Sequence, residues 1–181
     1  VSGIAYGFGG PVDRQAGRIT TSHQIDGWDD FPLVDWTQQT FDKPCLLHND
    51  CDAATIAEAR LGAGLAARLV YFVTVGTGVG GGLAIDGQLH AAHRPAVAEI
   101  GHLRPGLAAT DPSDTVESLA SGWGIVKAAQ RRMAEPSYSA PAVDPQQPQL
   151  TPVSLWSICQ GDPGQLTAQR VADAAEAGDP L

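Results

Sequence analysis

The stretch "TVGTGVGGG", Thr74 to Gly82, puts five glycines into nine residues directly behind the strand-like run "RLVYFV". Glycine lets the backbone reach φ > 0 and removes side chains that would hold an anion off. Few local structures use that much of it. A P-loop needs GK[ST] and a following helix, and neither is present. A Rossmann fingerprint needs the glycines to open a helix, whereas "GGLAIDGQL" reads as a strand ending in a tight Asp86-Gly87 hairpin turn. Two readings remain. The run is a structural β-hairpin, or it is a turn whose successive N–H groups converge on a phosphate, with Thr77 adding a hydroxyl donor.

Around this hairpin, strand-like and helix-like segments alternate. "VSGIAYGF" and "PCLLHND" read as buried strands, and "RITTSHQIDGW" as an extended segment leading into a loop. "FPLVDWTQQTF" carries apolar residues at Leu33, Trp36 and Phe41 and reads as an amphipathic helix. "AATIAEARLGAG" reads as a helix closed by Gly62 or Gly64, and "LTAQRVADAAEAG" as one closed by Gly178. "TVESLASGWGIVKAAQRRM" reads as one helix weakened in its middle by Gly122 and Gly124. Prolines break the chain from Pro136 to Pro152, which reads as a loop or linker. The class is α/β.

Charge and cysteine content narrow the partners. The net charge of −9, with 11 basic residues against 20 carboxylates, argues against a nucleic-acid partner for this segment. It leaves room for ATP, which a local pocket of N–H groups can hold. Three widely spaced cysteines form no CxxC pair, which argues against a zinc knuckle and fits a reducing cytoplasm. No apolar run is long enough to cross a bilayer, so no membrane partner is expected. The chain opens inside a strand-like pattern without Met and stops just behind a helix, so both ends read as cut.

Several polar residues could carry chemistry. Asn49 and Asp50 stand where a buried strand gives way to a helix, the place where ligands gather in α/β sheets. A carboxylate there can act as general base toward a hydroxyl attacking phosphorus, or it can simply cap the helix. Asp52 is the better candidate for capping or for the surface. Glu99, His102 and Glu117 can read vicinal hydroxyls, or serve as ordinary surface residues.

Taken in order, "GFGGPVD", "GWDDFPL", "ND" with "AEARLGAG", "VTVGTGVGGGLAIDGQL", "AEIGH", "ESLASG" and "LTAQRVADAAEAGDPL" resemble the ROK family of repressors, open reading frames and sugar kinases. The resemblance implies the actin-like, ribonuclease-H-like ATPase fold, with two lobes and a cleft. Residues 1–66 would end the N-terminal lobe and residues 67–181 would begin the C-terminal lobe. It implies a glucokinase-like phosphoryl transfer from ATP-Mg²⁺ to a hexose hydroxyl in the cytoplasm, and a homodimer is an option in the family. By matching position, Asp50 becomes the catalytic base, and Gly10, Pro11, Asn49, Asp50, Glu99, His102 and Glu117 the sugar-binding set. Gly76, Thr77, Gly78, Gly80 and Gly81 become the phosphate-binding set.

The chain also departs from the family pattern. Many members follow the "GH" histidine with a CxCGxxGC zinc cluster, whereas "LRPGLAATDPSDTV" holds no cysteine, so structural zinc is not expected. Gly9 stands where the family usually has Pro, and Gln24 where it usually has Asn, a change that bears on sugar preference. The family's DxGGT phosphate motif would precede Val1 and its adenosine-binding segment would follow Leu181. The chain as given is therefore expected to show little kinase activity by itself. Two alternatives accompany the kinase: a sugar-responsive repressor of the same family, and a sugar-binding protein that has lost catalysis. Neither the sugar nor the choice between ATP and polyphosphate as donor is fixed.

Overall fold

The computed structural model describes residues 1–22, 24–90, 98–138 and 154–179. The element order is β1 (Ile4–Phe8), β2 (Val12–Asp13), β3 (Arg18–Ile19), α1 (Leu33–Phe41), β4 (Cys45–Asn49), α2 (Asp50–Leu61), β5 (Leu69–Val75), β6 (Val79–Ile85) and β7 (Gln88–Leu89). A 3₁₀ turn (Ile100–His102), α3 (Val116–Ala120), α4 (Gly122–Ala134), α5 (Leu155–Ile158), a second 3₁₀ turn (Pro163–Gln165) and α6 (Ala168–Glu176) follow. The chain forms two compact units. One holds Val1–Thr74 with Gly80–Ile100, the other Val75–Val79 with Gly101–Leu181.

In the first unit β1 and β4 pair in parallel, Ile4 opposite Cys45 and Phe8 opposite Asn49. Parallel neighbours need a crossover. Here it contains the hairpin β2–β3, whose strands are two residues each, and helix α1. Phe8, Ile19, Leu33 and Leu47 are buried together, with Tyr6, Val12, Trp28, Phe31 and Val34 packed around them. The amphipathic reading of α1 holds at Leu33, but Trp36 and Phe41 lie exposed. The fully buried polar residue Thr37 takes the inner face, its hydroxyl donating to Tyr6 Oη at 3.2 Å. Trp36 instead joins an aromatic chain from Trp28 through Phe31 to Phe41, with ring centroids 4.9 to 6.2 Å apart.

β5, β6 and β7 form a sheet in that order, β6 and β7 running antiparallel and closing through Asp86 and Gly87 at φ 51° and 71°. Two successive positive φ values define the tight hairpin turn expected from the Asp-Gly pair.

The second unit packs Ala129 and Met133 of α4 against Leu155, Cys159, Leu166, Val171 and Ala174. The stretch expected to be one helix is two. Ser121 adopts extended backbone, ends α3, and caps α4 by accepting from the Gly124 N–H at 3.1 Å. A serine hydroxyl placed to satisfy an orphan helix N–H favours a new start over continuation. Helix α5 has no counterpart among the expected elements; Ser154 and Ser157 form its capping box. The proline-rich loop expected over 136–152 lies mostly outside the described residues, as does "PAV" ahead of Ala98.

Candidate functional site

The pairing of Phe8 with Asn49 brings the carboxyl ends of β1 and β4 to one edge. There the Gly9–Gly10 loop leaves β1 and α2 begins. Asn49 is the N-cap, its Oδ1 accepting from the N–H groups of Cys51 at 2.9 Å and Asp52 at 3.2 Å. Its Nδ2 donates in turn to the Gly10 carbonyl at 3.2 Å. One amide thus caps the helix and holds the loop.

Because Asn49 fills the capping role, Asp50 is the first helical residue and its carboxylate is exposed. Asp50 Oδ1 accepts from the Cys51 N–H at 2.9 Å. Oδ2 faces the loop: a Cβ built on Gly9 would lie 3.4 Å from it and 2.8 Å from Gln24 Nε2. Gln24 also donates to the Gly9 carbonyl at 2.9 Å. A side chain at Gly9 would intrude on the Gln24 amide and stand in contact with Asp50 Oδ2. The carbonyl of Pro11 accepts from the Thr20 N–H at 3.0 Å, which ties the same loop to the segment after β3.

The surroundings of Asp50 are electrostatically uneven. Burial pushes the Cys51 thiol up to about 11, assisted first by the Asp50 charge and a hydrogen bond to it, then by Glu99 and Asp52. Glu99 therefore acts on the start of α2. Asp52 is neither cap nor free surface. It is half-buried, and burial raises its pKa while the Arg14 charge opposes that rise. Arg14 Nη2 lies 3.2 Å from His48 Nε2. Arginine can only donate, so the imidazole is neutral with its proton on Nδ1. Burial, then the Arg14 charge, lower the His48 pKa. Arg14–His48 is a feature that sequence reasoning misses, because only the fold juxtaposes two residues so far apart.

In the second unit the hairpin tip Gly76–Thr77–Gly78 is braced from several sides. Gly76 N–H donates to the Gly78 carbonyl, and Gly122 N–H donates to the Gly76 carbonyl, both at 2.8 Å. Val79 N–H donates to Glu117 Oε2, also at 2.8 Å. The N–H groups of Thr77 and Gly78 have no hydrogen-bond partner among the described residues, and nothing approaches Gly76 where a side chain would stand. Adjacent unpaired N–H groups on a glycine turn suit an anion. Thr77 lines a cavity of about 740 Å³ with Gly76, Trp123, Val126, Lys127 and Ala168.

The remaining glycines of the run answer to packing. A Cβ on Gly80 would lie 2.6 Å from Cys51 Sγ, one on Gly81 2.7 Å from the Ala98 carbonyl, and one on Gly82 would overlap Thr55. Gly80–Gly82 thus belong to a strand pressed by α2 and by the chain at Ala98, and the open turn is Gly76–Gly78. His102 closes the 3₁₀ turn whose Gly101 packs on the Val79 carbonyl. Leu103 then accepts from the Val116 N–H at 2.9 Å, which sets His102 and Glu117 on linked segments beside the hairpin tip. Among the described residues no three His, Cys, Asp or Glu side chains gather to hold a metal, and no helix is long and apolar enough to cross a membrane.

The mixed α/β chain thus carries polar groups at the carboxyl edge of a parallel strand pair and, separately, a glycine hairpin with an open tip. The ROK family profile matches residues 1–180, and the chain belongs to the ROK family. It is 32% identical to a glucokinase of Halalkalibacterium halodurans over 98% of this chain and 50% of that protein. Among solved structures, a ROK family glucokinase from Streptomyces griseus, in complex with glucose and AMPPNP, aligns with a TM-score of 0.72 at 30% identity. That match covers 99% of this chain and 55% of the other. A ROK family transcriptional regulator homologous to the Escherichia coli MLC protein shares the fold at a TM-score of 0.68 and 20% identity, covering 99% of this chain and 41% of that one. The chain spans about half the length of the glucokinases it matches.

Proposed function

We propose that the protein containing this chain is an ATP-dependent hexose kinase of glucokinase type, with Asp50 as its general base. The observation that carries the reading is the division of labour at the start of α2. Asn49 caps the helix, which leaves the Asp50 carboxylate exposed and facing the Gly9–Gly10 loop. A capping aspartate would have its oxygens committed to backbone N–H groups. Asp50 gives Oδ1 to the Cys51 N–H, and Oδ2 faces the loop, where it can accept from a substrate hydroxyl.

Nucleotide with Mg²⁺ would supply the phosphoryl group and part of the charge neutralisation. The work of this chain is to bind, orient and move a proton. Asp50 accepts the proton of the sugar hydroxyl as its oxygen bonds to phosphorus, and the bond from phosphorus to the leaving diphosphate breaks. Asn49 and the Gly10–Pro11 loop orient the sugar, with Glu99, His102 and Glu117 reading further hydroxyls. The N–H groups of Thr77 and Gly78, unpaired among the described residues, and the Thr77 hydroxyl receive phosphate oxygens, while Gly80 and Gly82 let strand β6 approach α2 and Gly81 leaves room for the Ala98 carbonyl. Sugar and phosphate alike gain from fixed donors that need no rearrangement. The family resemblance also supports a cytoplasmic enzyme, and the lack of any cysteine between His102 and Glu117, where many members carry a zinc cluster, supports one without structural zinc.

The test is a coupled ADP-release assay on the complete protein with a panel of hexoses, run beside Asp50→Asn. Release that depends on one sugar and falls by about two to four orders of magnitude in the variant supports the reading. A folded protein that binds sugar without releasing ADP would sink the kinase and favour the repressor or a sugar-binding protein without catalysis.

A further inference from the structure

We propose that Trp123 and Lys127 position the phosphoryl donor, the Trp123 ring taking a nucleobase and the Lys127 ammonium taking the phosphate chain. This rests on the kinase reading above and concerns the donor half alone. It begins from the cavity of about 740 Å³ at the hairpin tip, a volume in the range of nucleotide-sized sites. Of the described residues that line it, Thr77 has a hydroxyl and Lys127 is the one charged group; the rest are glycine, alanine, aliphatic residues and Trp123.

That chemistry selects between donors. An inorganic polyphosphate carries charge along its whole length and has no apolar face, so it calls for several cations in a row. A nucleoside triphosphate is charged at one end and flat and apolar at the other. One cation beside an aromatic, aliphatic wall matches the second ligand and not the first.

The two side chains are also held where they would act. The Gly122 N–H donates to the Gly76 carbonyl at 2.8 Å, which fastens the first turn of α4 to the glycine tip. Trp123 is the next residue. Lys127 lies one turn further on, and its Nζ sits 4.8 Å from the Trp123 ring centroid. Residues four apart on a helix share a face, and an ammonium over an indole is attracted to the ring quadrupole. No carboxylate pairs with Lys127 among the described residues. The ring thus keeps the cation in the cavity without neutralising it, and its charge stays available to phosphate.

The experiment is calorimetric titration of the complete protein with a non-hydrolysable ATP analogue and Mg²⁺, repeated with inorganic tripolyphosphate as competitor. Trp123→Ala should weaken the analogue by about tenfold or more and leave tripolyphosphate unchanged, while Trp123→Phe stays within about threefold. Lys127→Ala should weaken both ligands by about tenfold, with Lys127→Arg restoring most of the loss. In turnover, the KM for ATP rises in both alanine variants while kcat and the KM for sugar hold. Analogue binding within about twofold of the parent in both alanine variants overturns the inference. So does equal loss of analogue and tripolyphosphate in Trp123→Ala, which would mark a collapse of the cavity. A parent protein that binds no analogue overturns it as well. A parent that binds the analogue through these two residues yet turns over no sugar leaves the inference standing and sinks the kinase reading.

Discussion

Glu117 Oε2 accepts the Val79 backbone N–H at 2.8 Å, so one carboxylate joins the first turn of α3 to the end of the glycine hairpin. The same oxygen lies 2.6 Å from where a Cβ on Gly78 would stand. A residue expected to grip a sugar hydroxyl is therefore also a structural brace, with one oxygen committed and the other available. Glu117→Ala leaves a buried donor unpaired, which costs about 1–3 kcal/mol. Glu117→Gln keeps an acceptor and should cost less than half of that. Chemical denaturation measures the difference, and hydrogen exchange localises it. The Val79 amide should exchange faster in Glu117→Ala, and an unchanged rate would show that the brace does not persist in solution.

Asn49 separates stability from binding. Its Oδ1 caps α2 and its Nδ2 holds the Gly10 carbonyl. Asn49→Asp keeps the cap and loses the donor, whereas Asn49→Ala loses both. The alanine variant should be less stable by about 1 kcal/mol, and the aspartate variant should stay within about 0.5 kcal/mol of the parent. Both should weaken sugar binding, because an unheld Gly9–Gly10 loop no longer presents its backbone. Equal stability of all three forms in urea would show that another group takes over the cap.

The features legible in the amino-acid sequence share a cause. The Asp86-Gly87 turn, the strand and hairpin around "TVGTGVGGG" and helix α6 are written in local chemistry: positive φ, alternation, a threonine cap and a closing glycine. The places of Asn49 and Asp50 follow from the strand-to-helix junction. What escapes depends on single groups or on residues far apart in the chain. The interruption at Ser121 turns on one hydroxyl in a stretch that otherwise reads as helix. Gly80, Gly81 and Gly82 look like the turn glycines, because their reason is Cys51, Ala98 and Thr55 pressing from elsewhere. Thr37, rather than Trp36, fills the inner face of α1 because Tyr6 waits there with a hydroxyl.

Gly9 and Gln24 form a coupled pair. A methyl group on Gly9 would stand 2.8 Å from Gln24 Nε2 and would push the amide off the Gly9 carbonyl it now holds. The displaced group is the end of a flexible, exposed side chain, so Gly9→Ala should cost stability only about 0.5–1 kcal/mol. Its effect on sugar should be larger, since the methyl also faces Asp50 Oδ2. A double-mutant cycle with Gln24→Ala tests the coupling. The stability cost of Gly9→Ala should shrink by about half once the Gln24 side chain is gone. Strict additivity would show that the two residues act independently.

Cys51 offers a direct reading of the charge on its neighbour. Burial holds the thiol near 11, and the Asp50 carboxylate is the next largest cause. Thiolate is the reactive form, so alkylation of Cys51, followed peptide by peptide in the mass spectrometer, should be slow at neutral pH and rise with a midpoint of about 11. Asp50→Asn removes the neighbouring charge and should move that midpoint downward without unfolding the protein. The same shift fixes the sign of a stability effect. Between the ordinary thiol value of 9.0 and the folded value of about 11, the unfolded chain has lost a proton that the folded chain keeps. Stability is therefore complete below 9.0 and falls as pH rises through this window. Cys51→Ser, which does not titrate there, should flatten that fall. A midpoint near 9.0 in the parent protein would place the thiol in water and remove Asp50 from its side.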